Sequence, residues 1–307
     1  FSNNLKFKTM KNIISIMMLT PIKHFIMKRT LFRLIPLLIV FFGSCTKDEI
    51  IEPSIICETK NYLHISHTRT DSNPFMNSIV ERVDFSKFNM LWLGGDLAHL
   101  TSQDDYTMSH VDSIFDIGNI NTLWALGNHD YSDLDRNQNF TNRPPFYSFH
   151  NDGITLIVLD TQDSLSNIIG AQKEFFEGIV DTIQESSHLI ILHHKLIWMY
   201  GNTYLEPLIP SISNGGLGDC FYCINPNNFY TDIYPKLLEV QQKGIKVLCI
   251  GGDIGFHIKE FEYITSDGIY FLASGISSDT IDNKALLFHH DITNKQLTWE
   301  YKLISDL

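Results

Sequence analysis

The sequence is short of basic residues, poor in cysteine and without a long apolar run. Its 307 residues carry 23 Lys/Arg against 35 Asp/Glu. Seven of those cations (Lys6, Lys8, Lys11, Lys23, Lys28, Arg29, Arg33) fall in the first 44 residues, which hold no acid. Without that segment, 16 Lys/Arg face all 35 Asp/Glu, a formal net of −19. Such a surface repels nucleic acid and anionic membrane, so any phosphate-bearing ligand needs a local cation. The longest apolar run, 34–42, is too short to span a bilayer. No internal repeat is present, which excludes solenoids and propellers. Hydrophobic content of 44% excludes wholesale disorder.

The first 44 residues form a separate unit. From Met27 they read basic start, apolar stretch, then Gly43 and Ser44, the anatomy of a secretory signal. The chain opens on Phe1, so residues 1–26 are expected to lie upstream of the true start. "FGSC" resembles the lipobox of bacterial lipoproteins, which implies Cys45 as the lipidated first residue of an exported, membrane-anchored lipoprotein. Residues 45–60 read as its tether, and 61–307 as the folded domain. Of the other cysteines, Cys220 and Cys223 make a lone CxxC; zinc needs two more ligands nearby, so a disulfide or free thiols are expected. Cys249, within "KVLCI", reads as core.

Apolar strand-like runs occupy 62–66, 90–94, 122–126, 154–160, 188–193 and 246–251, followed by 259–264, 269–274, 285–291 and 297–303. Helical periodicity covers 74–84, 105–116, 171–185 and 230–243. Early βα alternation that gives way to a β-rich end predicts an α/β domain. Residues 200–229, rich in Gly, Asn and Pro, read as a long loop and a candidate lid.

The early strands end in ligating residues: "LWLGGD" in Asp96, "LWALGNHD" in Asn128, His129 and Asp130, "LIILHH" in His193 and His194, and "VLCIGGD" in Asp253. Strand ends that open onto polar loops are where α/β proteins place their chemistry. Carboxylate, amide and imidazole donors together suit Mn, Fe or Zn rather than a soft-metal cage.

"GGD", "GNHD" and "LHH" in this order, with "GAQKEFF" opening a helix before the histidine strand, resemble the calcineurin-like metallophosphoesterase superfamily across residues 60–290. The resemblance implies a four-layer α-β-β-α sandwich of two mixed sheets flanked by helices. It also implies a metal-dependent hydrolase of phosphate esters, and the acidic surface argues against a nucleic-acid partner. The chain departs from the family at both ends. "SHTR" stands where Asp-x-His is expected, putting His67 for the Asp and Arg69 for the His. "GGDIG" stands where Gly-His-x-His is expected, putting Asp253 and Gly255 for the two histidines. The resemblance then implies one metal on Asp96, Asn128, His193 and Asp253, with His194 as the alternative to His193. The neighbouring position keeps Asp96 and His67 but meets Arg69, so about one divalent transition metal per chain is expected. His257 and Asp71 stand in reserve should their loops bend inward. His129 is assigned to protonation of the leaving group, Asp130 to orienting it or capping a turn, and Arg69 to gripping phosphate. The alternative reading is a non-catalytic metal- or ligand-binding lipoprotein on a degenerate form of the same fold.

Overall fold

The computed structural model describes residues 58–277 and 280–307, all within one compact unit. The signal segment, Cys45, Cys57 and most of the tether lie outside the described residues.

Two sheets form the middle of the molecule. The first has five strands in the order β11-β10-β1-β2-β3: β1 (Thr59–Ile65), β2 (Met90–Leu93), β3 (Thr122–Trp124), β10 (Lys284–Asp291) and β11 (Gln296–Leu303). The second has six in the order β4-β5-β6-β7-β9-β8: β4 (Tyr147–Asn151), β5 (Ile154–Val158), β6 (His188–His193), β7 (Lys246–Gly251), β8 (Glu260–Ile264) and β9 (Tyr270–Ser274). Both are mixed: β1-β2-β3 and β5-β6-β7-β9 run parallel, while their outer partners run antiparallel.

Residues alternate between two faces along a strand, so a sheet buried on both sides needs apolar residues at every position. That is why β2, β5 and β6 read as continuous apolar runs. Trp92, Leu123, Leu156, Ile190, Leu248 and Phe288 point inward and make the core between the sheets. The intervening residues pack under helices. Leu63, Ile65, Leu91 and Leu93 meet Met108 and Val111 of α1 (Asp105–Phe115). Leu189, Ile191, Val247 and Cys249 meet Phe176 of α3 (Gly170–Thr182) and Leu237 of α5 (Tyr234–Gln242). The expected four-layer sandwich follows from these three cores. The short helices α2 (Leu134–Thr141) and α4 (Ile209–Ile212) complete the set. Among the described residues, no helix is long and apolar enough to cross a membrane.

The expected helix over 74–84 is absent. The segment forms 3-10 turns at Val80–Arg82 and Phe85–Lys87. Its polar side chains capture backbone donors locally: Asn77 accepts from Ile79 N–H, Glu81 from Met76 N–H and Asp84 from Ser86 N–H. Such bonds compete with a helical ladder. Cys220 and Cys223 form a disulfide, and Cys249 is a buried free thiol.

Candidate functional site

The C-terminal ends of β1, β2 and β3 in one sheet, and of β6 and β7 in the other, meet at a single edge. Backbone contacts join them. Ser66 Oγ donates to the Gly252 carbonyl (2.7 Å), Gly252 N–H to the His194 carbonyl (2.9 Å), and His194 Nδ1 to the Gly94 carbonyl (2.6 Å). A Cβ on Gly252 would stand 1.9 Å from the Gly94 carbonyl oxygen. Only glycine lets the two sheet ends approach this closely, which accounts for a glycine pair before both Asp96 and Asp253. His67 (φ 54°) and Asp96 (φ 56°) adopt the left-handed conformation, uncommon outside glycine, and so turn their side chains into the edge.

Asp96 is the hub and is buried. Its Oδ1 accepts from His129 N–H (3.0 Å) and lies 3.6 Å from His194 Nε2, which in turn lies 3.9 Å from Asp253 Oδ1. Its Oδ2 lies 3.8 Å from His67 Nε2 and 3.9 Å from Arg69 Nε. A carbonyl can only accept, so Nδ1 of His194 donates to Gly94, and Nδ1 of His67 donates to Ile276. In the neutral rings each Nε2 therefore carries the lone pair that faces the carboxylate.

The electrostatics follow from burial and neighbours. Burial holds the His67 imidazole down at about 4, with Asp96 opposing. Burial also works against a charged His194, yet Asp96 and Asp253 outweigh it and raise its pKa. Burial, and secondarily Asp96, raise the Asp253 carboxyl. Asp96 is held below the usual range: burial opposes this, but His194, His67 and His129 prevail.

Among the described residues, no group of three or more His, Cys, Asp or Glu closes into a metal cage. The convergence is pairwise, with Asp96 shared and His194 linking it to Asp253. The donors nonetheless fit a divalent cation. Separations of 3.6–3.9 Å are too long for hydrogen bonds. They are slightly wider than the roughly 3.4 Å between ligands ~2.1 Å from one tetrahedral ion. The fully buried Nε2 of His194 has no hydrogen-bond partner. A lone pair facing carboxylate oxygens in a dry site calls for a cation or a proton between them.

The remaining expected residues fall into two groups. Asn128 and His129 line the cavity with Asp96 and Asp253, and His129 Nδ1 donates to the His99 carbonyl. His193 is not in this group. It continues the alternation of Leu189 and Ile191 and is fully buried. Its Nδ1 donates to the Lys195 carbonyl (2.7 Å). Its Nε2 also lacks a hydrogen-bond partner but pairs with no site carboxylate among the described residues. The histidine against Asp96 is His194, the first residue past the strand. Asp130 makes no hydrogen bond to the His129 imidazole. It is buried and accepts from the N–H groups of Asp96, Leu97 and Gly127 and from the Thr101 hydroxyl, holding two site turns together. His257 and Asp71 are exposed and do not line the cavity. At Gly255 (φ 134°) a Cβ would meet the Ile276 carbonyl at 2.4 Å, so no side chain fits where the family carries its last histidine.

Sequence reasoning missed Lys195. It is fully buried with Nζ lacking a partner, 5.7 Å from the Phe221 ring. Burial lowers its pKa to about 8, against the pull of Asp253, Asp160 and Asp96. Its sole sequence signal is a lysine two residues past a buried strand.

No protein-family model and no curated protein sequence matches the chain. Similar solved structures include a dimetal phosphatase from Danio rerio, with TM-score 0.46 and 11% identity over 80% of this chain and 96% of that one. Another is a 5'-nucleotidase precursor from Thermus thermophilus (TM-score 0.39, 13% identity, 80% of this chain and 54% of that one). A third is an NAD nucleotidase from Haemophilus influenzae (TM-score 0.40, 12% identity, 80% and 49%). The chain thus spans about half the length of these two nucleotidases. In its own motif residues, and in the sheet edge where they meet, the chain resembles a divergent calcineurin-like metallophosphoesterase.

Proposed function

We propose that the protein is a metal-dependent hydrolase of phosphate esters that holds one divalent transition metal through Asp96, Asn128, His194 and Asp253. The observation that carries this reading is the unpartnered, fully buried Nε2 of His194, aimed between the carboxylates of Asp96 and Asp253. A cation there supplies Lewis-acid polarisation of a phosphoryl oxygen and a lowered pKa for an attacking water. Arg69 meets the need for a local cation on an acidic chain. Its Nε is buried without a hydrogen-bond partner, and its guanidinium lines the cavity, ready to donate to phosphate oxygens. His129 holds its Nδ1 proton on the His99 carbonyl, so the proton it can deliver to a leaving oxygen sits on Nε2. Asp130 keeps the Asp96 and Gly127 turns in register and takes no proton from substrate.

The sequence of residues 27–45 supports export and lipidation at Cys45, which would anchor the protein to a membrane by lipid alone. Cys45→Ser should abolish lipid labelling in a bacterial host; undiminished labelling would refute the anchor. The test of the main reading is hydrolysis of generic phosphomonoester and phosphodiester chromogens by the purified protein. Turnover should appear on addition of Mn2+, Fe2+ or Zn2+ and vanish with chelator. Absence of turnover despite tight metal binding would favour a non-catalytic metal-binding protein instead.

A further inference from the structure

The cavity over Asp96 has a polar floor and an aromatic wall. Tyr222 is 61% exposed and Phe256 52%. Both line the same cavity of about 320 Å3 as Arg69 and Asp96. Phe256 meets the His67 ring edge-on at 4.7 Å, and the Arg69 guanidinium lies 5.8 Å from its centre. Its N–H donates to Asn214 Oδ1 (2.8 Å), and Asn214 N–H donates to the Asp253 carbonyl (3.0 Å). Tyr222 sits between the two cysteines of the Cys220–Cys223 disulfide. That turn is held further by Asn225, whose amide donates to the carbonyls of Cys220 (2.9 Å) and Cys223 (3.3 Å). The Phe256 ring is thereby packed beside the charged floor, and the backbone that carries Tyr222 is held by the disulfide turn, which lowers the ordering cost of binding.

Arg69 joins floor to wall: its Nε stands 3.9 Å from Asp96 Oδ2 while its guanidinium rests on Phe256. A phosphoryl group gripped by Arg69 carries its ester substituent past these rings. We propose that Phe256 and Tyr222 select that substituent. The preferred substrates are then small phosphate monoesters bearing a flat, unsaturated ring rather than saturated or sugar-like groups. This rests on the phosphoesterase reading and adds the substrate class. The volume lies at the low end of the ~300–1,000 Å3 usual for small-molecule sites, enough for one phosphoryl group and one ring. Each ring contact should favour the flat ligand by about three- to tenfold.

The test uses two non-hydrolysable ligands of matched size and charge, benzylphosphonate and cyclohexylmethylphosphonate, titrated calorimetrically into the metal-supplied full chain. Benzylphosphonate should bind about tenfold more tightly, and Phe256→Leu and Tyr222→Leu should each bring the ratio toward one. Equal affinity in the wild type, failure of both ligands to bind, or a preference that both variants leave intact would overturn the proposal. Turnover of benzyl phosphate is scored separately. Selective binding without turnover would refute the phosphoesterase reading and leave the aromatic wall standing. Turnover without selectivity would refute the wall alone.

Discussion

On its Oδ1 side Asp96 faces the unpartnered nitrogen of His194, with Asp253 beyond it; on its Oδ2 side it faces His67 and the Arg69 guanidinium. One side gathers lone pairs and negative charge, and the Lys195 ammonium that acts on Asp253 and Asp96 makes no hydrogen bond to either. The other has a permanent cation in place, since a guanidinium does not deprotonate in proteins. The Gly255 backbone adds a second difference, because against the Ile276 carbonyl it leaves no room for a side chain. On the proposed reading, two positions that share a carboxylate take different occupants, a metal ion on one side and an anionic substrate group on the other.

The strongest way to break this contrast is to remove a donor from the metal side. Asp253→Ala or His194→Ala should weaken metal binding by more than ~100-fold, beyond the 10–100-fold typical of losing an outer-shell partner. His193→Ala should leave metal affinity nearly unchanged and lower stability instead, because that ring is fully buried and donates to the Lys195 carbonyl. Calorimetric titration of the three variants with Zn2+ separates the two histidines. Loss of metal in His193→Ala with retention in His194→Ala would reverse the assignment.

His129→Ala should next cut turnover of alkyl esters by ~10²–10⁴-fold while bound metal is retained. The defect should shrink with nitrophenyl esters, whose leaving group needs little protonation. Equal losses on both ester types would move His129 to another role.

On the other side of Asp96, Arg69→Ala should weaken inhibition by inorganic phosphate by roughly 10–100-fold, the range expected for charge-assisted hydrogen bonds of ~1.5–3 kcal/mol. Unchanged phosphate inhibition would show that the guanidinium does not grip substrate.

The smallest effect concerns Lys195. Its pKa in the fold, about 8, lies below the ordinary lysine value of 10.5. The unfolded chain therefore binds more protons between those values, and stability rises with pH across that window. Lys195→Met should stabilise the metal-free protein at pH 7 by ~1–3 kcal/mol, with the gain fading toward pH 10. Urea titrations at both pH values measure it. Destabilisation at pH 7 would mean that the ammonium has a partner.

The parallel strands were legible because a strand buried on two faces must be apolar throughout, and β6 and β7 run over the expected residues. The edge strand β4 escaped notice because its residues alternate between half-buried and exposed, and Ser148, His150 and Asn151 break any apolar run. Helix α2 (LDRNQNFT) is too polar to show an apolar face. Within the site, Asp96, Asn128, His129 and Asp253 were readable as the polar residues that follow apolar strands. The choice between His193 and His194 was not, because strand alternation fixes the first while only the turn after β6 directs the second. The aromatic wall was hidden as well: residues 200–229 announced a loop, but not that Tyr222 would be brought beside Phe256 from another strand end.

The central claim is that Arg69 stands where a second ion would otherwise sit, so the metal content of the wild-type protein tests it most directly. Elemental analysis of the full chain, loaded with Mn2+ or Zn2+ and then dialysed, should return about one metal per chain. Two tightly held ions per chain would contradict the account and place Arg69 away from the shared carboxylate.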